Sequence, residues 1–301
     1  MVSIHMQTVP PQIKLIAIDI DGTLLNPQKQ ITARTRAAVR AAQEAGIIVT
    51  LATARRYLNT FPIADELGLA IPLILCDGAL IMHHSDTMVL HTQSLQSEVA
   101  NRVVELFVEH TIQPVVHHIV GTIEEMWTGP ATFDNQWLEM YFAAFPDNLR
   151  RMPVETLCAG QPSPLRVVAF ASEEAIYRLV PEVSDMACSW NAIKRGNYGS
   201  AELAVMAPGC SKASGVKTLA DQLNIPMEQV MAIGDNNNDL EMLEAAGWGV
   251  AMGQAPEVVK AIANAVTTDN TEDGVALAIE HYALRSVGSA DSNSFKRVTC
   301  L

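Results

Sequence analysis

The sequence predicts an α/β protein built on a doubly wound parallel sheet, with a second, α+β domain inserted into it. Short apolar runs alternate with helical patterns over residues 13–76, and the same alternation returns over residues 214–267. Between these two blocks the pattern changes. Apolar runs without polar alternation are typical of parallel strands, which are buried on both faces of the sheet. Repeated β-α-β order then predicts right-handed crossovers between neighbouring parallel strands.

The first block has the order strand, helix, strand, helix, strand. Residues 13–19 form an apolar run that ends on carboxylates. A helical pattern follows from Ala33 to Ala45, with Thr32 placed to cap its start and Gly46 to end it. The remaining elements are predicted as a strand, a helix and a strand, at Ile47–Ala52, Tyr57–Leu67 and Pro72–Cys76.

The second block repeats this order near the end of the chain. Its predicted helices are Ser214–Leu223, Asp239–Ala246 and Pro256–Ala263, and its predicted strands are Gln229–Ile233, Trp248–Met252 and Ala265–Thr267.

The segment between the blocks has a different organisation. Helical stretches near residues 94–110 and 172–187 alternate with short strands such as Leu165–Phe170 and Glu202–Met206. We therefore predict that residues 89–207 form the inserted α+β domain, and that residues 1–88 and 208–301 form the core. The tail from about Arg285, rich in Ser and Gly, is predicted to be poorly ordered.

Composition excludes some classes of partner. The formal charge of −13 argues against a nucleic-acid or anionic-membrane partner, since both require clustered Lys and Arg. The five cysteines are scattered, which favours reduced thiols over a disulfide framework. No apolar run is long enough for a transmembrane helix, and the start of the chain has no secretory-signal pattern. These features together predict a cytoplasmic protein; they leave the oligomeric state open.

Asp19 and Asp21 follow the first predicted strand directly, in the segment Asp19-Ile20-Asp21-Gly22-Thr23. Two carboxylates are costly at the end of a buried strand unless a cation neutralises them. In open α/β sheets, the carboxyl ends of the strands are also where ligands bind. The alternative is a strand that simply emerges into solvent through ordinary turn residues.

Three further segments lie at the ends of predicted strands or in the loop before a predicted helix. Gly234-Asp235-Asn236-Asn237-Asn238-Asp239 follows a buried strand and offers the hard oxygen ligands that Mg²⁺ requires, although Asn and Asp also favour helix N-caps. Thr53-Ala54-Arg55 offers a hydroxyl and backbone N–H groups that can hold phosphate oxygens. Lys212 precedes a predicted helix. The last two are uninformative alone, because loops commonly carry such residues.

In this order the segments resemble the haloacid-dehalogenase-like hydrolase superfamily, and within it the Cof-like, sugar-phosphatase subfamily. The resemblance runs through IAIDIDGTLLN, LATARR, LCDGAL and ELAVMAPGCSKASGV to the long stretch that begins AIGDNNNDLEMLEAAGWGVAMG. It covers nearly the whole chain. It implies a Rossmann-like core, a cap domain formed by the inserted segment, and a Mg²⁺-dependent phosphatase acting on small phosphorylated metabolites, with sugar phosphates among the candidates.

The resemblance also implies roles for single residues. Asp19 would attack phosphorus and become an aspartyl phosphate, while Asp21 would act as acid and then base. Mg²⁺ would be held by the carboxylates of Asp19 and Asp235 and by the backbone carbonyl of Asp21. The groups implied to contact phosphate are the side chains of Thr53, Lys212 and Asn238 and the backbone N–H groups near Ile20 and Ala54, with Asp239 supporting Lys212 or the metal.

Four residues depart from the family pattern. Ala54 and Ala213 stand where Gly is usual, Asp77 stands where Asn is usual, and Gln254 stands where Asn is common. Ala54 can supply its N–H without strain only if its φ stays negative. Asp77 adds a negative charge that weakens phosphate binding unless its side chain points away.

Two other functions use the same residues. A phosphotransferase or mutase would pass the phosphoryl group to an acceptor, and a non-catalytic module would only bind a phosphorylated ligand. The presence of both Asp19 and Asp21 argues against the binding module. The glycine run Gly247–Gly253 resembles a dinucleotide-binding motif, but it contains a predicted strand instead of opening a helix.

Overall fold

The structure is a computed structural model that describes residues 10–284, except for residues 161, 195 and 197. The chain divides into two compact units. One comprises the residues up to Asp86 together with those from Ser211 onwards, and the other comprises Thr87–Cys210. We call them the core unit and the inserted unit. The predicted poorly ordered tail from Arg285 lies outside the described residues.

The first segment of the core unit alternates strands and helices, as predicted. Its elements are β1 (Leu15–Ile18), α1 (Ala33–Glu44), β2 (Ile48–Leu51), α2 (Tyr57–Glu66), β3 (Pro72–Leu75) and β4 (Leu80–His83). The predicted cap of α1 is present, because the hydroxyl of Thr32 accepts the N–H of Thr35 at 3.1 Å. Gly46, with φ +79°, lies just after the helix, where a left-handed residue commonly ends a helix.

The inserted unit mixes strands and helices in a different order. Its elements are β5 (Val89–Thr92), α3 (Ser97–Glu109), β6 (Val115–Val120), β7 (Ile123–Thr128), α4 (Gln136–Ala144), β8 (Leu149–Arg151), β9 (Arg166–Ala171), α5 (Glu173–Ser184), β10 (Ser189–Ile193) and β11 (Ala201–Met206).

The second segment of the core unit returns to alternating helices and strands. Its elements are α6 (Lys212–Gln222), β12 (Val230–Gly234), α7 (Leu240–Ala245), β13 (Trp248–Ala251), α8 (Glu257–Ile262), β14 (Ala265–Val266) and α9 (Gly274–Ala278), which continues into a π-helical turn at Ile279–Leu284.

The five strands of the core sheet are all parallel, in the order β14-β13-β12-β1-β2. The central strand, β1, is completely buried, as its unbroken apolar run predicts. Ile18 lies beside Ile233 on one side and Leu51 on the other. The carboxyl ends of β1, β2 and β12 therefore lie level with one another, and the residues that follow them share one edge of the sheet.

The predicted third strand forms, but it pairs differently from expectation. β3 pairs along its length with β4 in an antiparallel ladder and touches the end of β2 through one parallel bridge, Ala52 to Ile74. Pro72 has no N–H to donate to a ladder, and its carbonyl accepts the hydroxyl of Thr50 at 2.7 Å instead. A proline at the start of the strand thus limits its pairing with β2.

The inserted unit contains a six-stranded sheet in the order β10-β11-β9-β6-β7-β8. All pairs are antiparallel except β7 with β8. Helices α3 and α5 pack on one face of the sheet and α4 packs on the other. His117 and His118 point to opposite faces: His117 contacts Glu124 and Tyr141, while His118 contacts the carbonyls of Leu157 and Pro162. This arrangement confirms the prediction of an α/β fold with a parallel sheet and an inserted α+β segment.

Within the described part of residues 10–284, no helix is both long enough and apolar enough to cross a membrane.

Candidate active site

Three strand ends bring the predicted site residues together at one edge of the core sheet. Asp19 follows β1 directly, and its N–H donates to the carbonyl of Ile233 at 3.0 Å, one residue before β12 ends. The N–H of Ala52 donates to Ile18 at 3.0 Å, which brings Thr53 to the same edge. Parallel pairing thus juxtaposes segments that are more than two hundred residues apart in the chain, Asp19 and Asp235.

Lys212 lies between two carboxylates at this edge. Its Nζ is 2.6 Å from Oδ1 of Asp19 and 2.7 Å from Oδ1 of Asp239. The exposed fractions of the Lys212, Asp19 and Asp239 side chains are 2%, 6% and 0%, so all three are almost completely buried. Lys212 opens helix α6, whose N-cap Ser211 accepts the N–H of Ser214. The cap fixes where the helix begins and therefore where the lysine side chain starts.

Burial and charge act in opposite directions on these groups. Burial raises the pKa of Asp19 well above its usual value, although Lys212 acts to lower it. Burial would lower the pKa of Lys212, but the charges of Asp19, Asp239 and Asp77 outweigh it and the pKa is raised. Lys212 is therefore a permanent cation at this site.

Asp239 and Asp235 have different surroundings. The second oxygen of Asp239, Oδ2, accepts the backbone N–H groups of Asp235 and Asn236, each at 3.0 Å, so both of its oxygens are engaged by protein groups. Asp235 accepts the hydroxyl of Thr23 at 2.9 Å on Oδ1, and the side chain of Gln254 is a second hydrogen-bond partner of the same carboxylate. Burial and the charge of Asp239 raise the pKa of Asp235 to about 6. Asp235 is half-buried and accepts from neutral side chains, whereas the fully buried Asp239 is engaged by a lysine and two backbone N–H groups.

The donor set fits a divalent cation. Oxygens of Asp19, Asp235 and Asp239 all lie within 4.8 Å of one another. Three carboxylates and one lysine leave two uncompensated negative charges if all are ionised, and buried charges of one sign repel each other strongly. Mg²⁺ carries two positive charges and takes oxygen ligands. Asp19 and Asp235 are the two side chains suited to hold it.

Asp21 lies beside this cluster with its carboxylate held by two cations. Arg55 donates Nε to Oδ2 at 2.6 Å and a terminal nitrogen to Oδ1 at 2.7 Å, while Lys29 donates to Oδ1 at 3.0 Å. Burial raises the pKa of Asp21, but the hydrogen bonds and charges of Arg55 and Lys29 outweigh that effect, and the pKa lies below its usual value. Arg55 and Lys29 therefore favour the ionised form of this carboxylate.

The residues implied to contact phosphate lie on this edge as well. Thr53 is buried, and its hydroxyl accepts the N–H of Arg55 at 3.1 Å. Ile20 is also buried. Ala54 does not have a positive φ, so the alanine causes no backbone strain here. Asn238 donates its amide to Asp77 at 3.1 Å. The roles of these groups towards phosphate remain predictions.

Asp77 does not point away from the site. It is 2% exposed, binds Asn238, and its charge acts on Lys212. Cys76, Asp77 and Gly78 have φ values of +53°, +52° and +91°, which turn the chain sharply between β3 and β4. The sequence signal for this turn is the Asp-Gly pair, since both residues tolerate left-handed backbone.

Sequence reasoning did not identify Arg55 and Lys29 as partners of Asp21. In the sequence, Arg55 is only the last residue of Thr53-Ala54-Arg55, and Lys29 lies in a loop after Asn26. Their pairing depends on long-range geometry that no local pattern encodes.

Comparison with known proteins identifies the family. A family model described as haloacid dehalogenase-like hydrolase matches residues 16–279. The chain belongs to this family, and the match spans both segments of the core unit together with the inserted unit. The predicted membership, in the Cof-like branch of the superfamily, is confirmed.

Several relatives are named phosphatases. The chain is 31% identical over 279 residues to the 5-amino-6-(5-phospho-D-ribitylamino)uracil phosphatase YcsE of Bacillus subtilis, covering 90% of this chain and 96% of the relative. It is 28% identical over 268 residues to the pyridoxal phosphate phosphatase YbhA of Escherichia coli, covering 87% and 96%. The prediction of a phosphatase is therefore confirmed.

Solved structures agree with this assignment. A haloacid dehalogenase-like hydrolase from Bacteroides thetaiotaomicron has a TM-score of 0.73 and 27% identity, covering 89% of this chain and 99% of its own. The subclass IIB sugar phosphatase BT4131 also has a TM-score of 0.73, with 25% identity and coverage of 89% and 98%. These neighbours confirm the predicted fold.

Proposed function

We propose that this chain is a Mg²⁺-dependent phosphatase that hydrolyses small phosphorylated metabolites, sugar phosphates among them, through an aspartyl-phosphate intermediate on Asp19. The observation that carries the proposal is the buried cluster of Asp19, Asp235, Asp239 and Lys212 at the carboxyl edge of the sheet. A nucleophile, a fixed cation and two further carboxylates meet there, and the side chains of Asp19, Asp239 and Lys212 are almost completely buried.

Lys212 supports the first step. Its ammonium lies 2.6 Å from Asp19, so it lies next to the position where a phosphoryl group would meet the nucleophile. Negative charge accumulates on the equatorial oxygens of a transferring phosphoryl group, and preorganised cations stabilise it. Asp239 holds the lysine in this position, because its Oδ1 accepts the same ammonium.

Bound Mg²⁺ would supply further positive charge to the phosphate oxygens and neutralise the carboxylates around Asp19. The residues that would hold it are Asp19 and Asp235 through their carboxylates and Asp21 through its backbone carbonyl. Thr23 and Gly22 support Asp235, the first by a hydrogen bond and the second by leaving space for the carboxylate.

Asp19 acts as the nucleophile, and Asp21 acts as the acid and then the base. A carboxylate oxygen of Asp19 forms a bond to phosphorus as the bond from phosphorus to the ester oxygen breaks. Asp21 gives that oxygen a proton, which it must first take up, because Arg55 and Lys29 favour its ionised form. Water then attacks phosphorus while Asp21 takes a proton from it, and Asp19 leaves as a carboxylate. Splitting one displacement into two easier steps is the advantage of covalent catalysis.

Support for the substrate class comes from the relatives and from charge. The relatives act, by name, on a phosphorylated ribitylaminouracil and on pyridoxal phosphate, and BT4131 is named a sugar phosphatase. All three classes are phosphate monoesters of small molecules. The net charge of −13 disfavours a polyanionic nucleic-acid substrate.

The test replaces the nucleophile. Asp19→Asn should reduce hydrolysis of 4-nitrophenyl phosphate in Mg²⁺ by on the order of 10³-fold or more, because the amide is a poor nucleophile. Asp65→Asn is the matched control: its side chain is 76% exposed, and activity should be unchanged. Borohydride reduces an acyl phosphate to an alcohol, so treatment of quenched wild-type enzyme, followed by mass spectrometry, should find homoserine in place of Asp19.

Two outcomes would contradict the proposal. One is a correctly folded Asp19→Asn variant that keeps wild-type activity. The other is transfer of phosphate to an added sugar with none released to water, which would make the chain a phosphotransferase.

A further inference from the structure

Gln254 lies at the same edge of the core sheet as Asp235, in the turn that follows β13. The N–H of Met252 donates to the carbonyl of Gly234 at 3.0 Å, so the end of β13 lies beside the end of β12. The N–H of Ala255 donates to the carbonyl of Met252 at 3.0 Å, which closes a turn that contains Gln254. Pairing of the two strands therefore brings Gln254 to the segment that carries Asp235.

The side-chain amide of Gln254 has partners on both its nitrogen and its oxygen. Nε2 donates to the carbonyl of Gly22 at 2.6 Å, and Oε1 accepts the N–H of Asn270 at 3.3 Å. The same side chain is hydrogen-bonded to the Asp235 carboxylate. An ionised carboxylate only accepts, so the NH₂ group, which has two hydrogens, serves both Gly22 and Asp235. A reversed amide would place its oxygen against these two acceptors, so the amide has one favoured orientation.

A second amide, that of Asn270, holds the same stretch of chain at its other end. Nδ2 of Asn270 donates to the carbonyl of Leu25 at 2.8 Å, while Gln254 binds the carbonyl of Gly22. The hydrogen bond from the N–H of Asn270 to Oε1 of Gln254 joins the two residues. Segment 22–25 therefore has a side-chain partner at each end, one from the turn after β13 and the other from the loop before α9.

The position of the Asp235 carboxylate depends on this arrangement in two ways. Thr23 lies within segment 22–25 and donates its hydroxyl to Oδ1 of Asp235 at 2.9 Å, and Gln254 contacts the same carboxylate directly. Both donors are neutral, so they orient the carboxylate without cancelling its negative charge. That charge stays available to a cation, and the hydrogen bonds determine where the cation would meet it.

We propose that Gln254 is a positioning residue for the metal site, holding the Asp235 carboxylate and the turn at Gly22 in the arrangement that binds Mg²⁺. This inference rests on the proposed phosphatase function, which requires that metal. Gln254 acts through Asp235 and segment 22–25 and is not itself a metal ligand. Removing a partner of a metal ligand typically weakens metal binding by about 10- to 100-fold. Gln254 is exposed, so water can replace part of its hydrogen bonding, and a loss of about tenfold is expected.

Thermal unfolding over a range of Mg²⁺ concentrations, without substrate, tests this role. A ligand that binds only the folded protein raises the unfolding midpoint according to its concentration relative to Kd. Gln254→Met keeps the length of the side chain and removes its amide. The variant should need about tenfold more Mg²⁺ than the wild type for the same rise in midpoint. Without Mg²⁺ its midpoint should stay within about 1–2 °C of the wild type, because the side chain is exposed.

Gln43→Met is the matched control. Nε2 of Gln43 donates to the carbonyl of Gly68 at 3.4 Å, so the same chemical change is made at another glycine carbonyl of the core unit. Gln43 lies near the end of α1, just before β2 begins, and therefore towards the opposite edge of the sheet. Its response to Mg²⁺ should equal that of the wild type. In an assay with 4-nitrophenyl phosphate, the Mg²⁺ concentration for half-maximal activity should rise about tenfold for Gln254→Met and stay unchanged for Gln43→Met.

The outcomes separate this inference from the proposed function. If Gln254 only stabilises the fold, Gln254→Met lowers the midpoint by the same amount at every Mg²⁺ concentration, and that result would overturn the positioning role. A Mg²⁺ dependence equal to that of Gln43→Met would overturn it as well. A wild type whose midpoint does not respond to Mg²⁺ would refute the metal site and this inference together. A wild type that is stabilised by Mg²⁺ but hydrolyses no phosphate ester would refute only the phosphatase function.

Discussion

Gly22 provides a sharp test of how the site is built. It has φ +88°, and a Cβ added there would lie 2.4 Å from Oδ2 of Asp235 and 2.8 Å from its Cγ. Ordinary contact begins at 3.4 Å, so the Asp235 carboxylate must move by about 1 Å (3.4 minus 2.4) in Gly22→Ala. That movement stretches or breaks the hydrogen bond from Thr23, which is 2.9 Å long.

The expected result is a large loss of activity with a moderate loss of stability. Misplacing a group in an active site by about 1 Å can cost about 10²-fold in rate. The left-handed backbone adds a strain of about 1–2 kcal/mol for any residue with a Cβ. The assay is kcat/KM for 4-nitrophenyl phosphate over a range of Mg²⁺ concentrations, together with thermal unfolding. We expect Gly22→Ala to need a higher Mg²⁺ concentration than the wild type for half-maximal activity. Its kcat/KM should stay below that of the wild type even at saturating Mg²⁺.

Gly46→Ala is the matched control. Gly46 has φ +79°, but an added Cβ would meet nothing within 4 Å. It should therefore lose about the same 1–2 kcal/mol of stability while keeping its activity. The reasoning is refuted if folded Gly22→Ala has the kcat/KM and Mg²⁺ requirement of Gly46→Ala, since Asp235 would then not need its present position.

Two further predictions follow from charge. Asp77→Asn removes a negative charge near Lys212 and keeps an acceptor for Asn238. The inhibition constant of inorganic phosphate should therefore fall about fivefold, an effect of roughly 1 kcal/mol. An unchanged inhibition constant would show that Asp77 does not act on the phosphate site. Because burial and Asp239 raise the pKa of Asp235 to about 6, protons compete with Mg²⁺ below that pH. The Mg²⁺ concentration for half-maximal activity should stay level above about pH 7 and rise by up to about tenfold per pH unit below 6; a flat dependence from pH 7.5 to 5 would contradict this.

Much of the candidate site follows from sequence because parallel strands align their ends. The apolar run before Asp19 predicts β1, and the run before Asp235 predicts β12. Once both are strands of one parallel sheet, their carboxyl ends must share an edge. The proximity of Asp19 and Asp235 therefore requires no knowledge of side-chain packing.

Other features depend on contacts that local patterns do not contain. The pairing of Arg55 with Asp21 requires the loop after β2 to fold back on the loop after β1. The position of Asp77 requires a left-handed turn whose direction the sequence leaves open. The antiparallel ladder between β3 and β4 forms because the turn at residues 76–79 reverses the chain, and no local pattern predicts that reversal. In the sequence, only Pro72 suggests that the pairing of β3 with β2 is limited.

The strand order of the core sheet has a consequence for synthesis of the chain. β1 lies between β2 and β12, so its second neighbour is made about two hundred residues after it. Until then one edge of β1 has unpaired N–H and C=O groups on a completely apolar segment, which is a template for aggregation. The inserted unit, in contrast, is one continuous stretch, Thr87–Cys210, and all of it is made before the second segment of the core unit. The parallel sheet of the core unit can therefore be completed only after the whole inserted unit has been made.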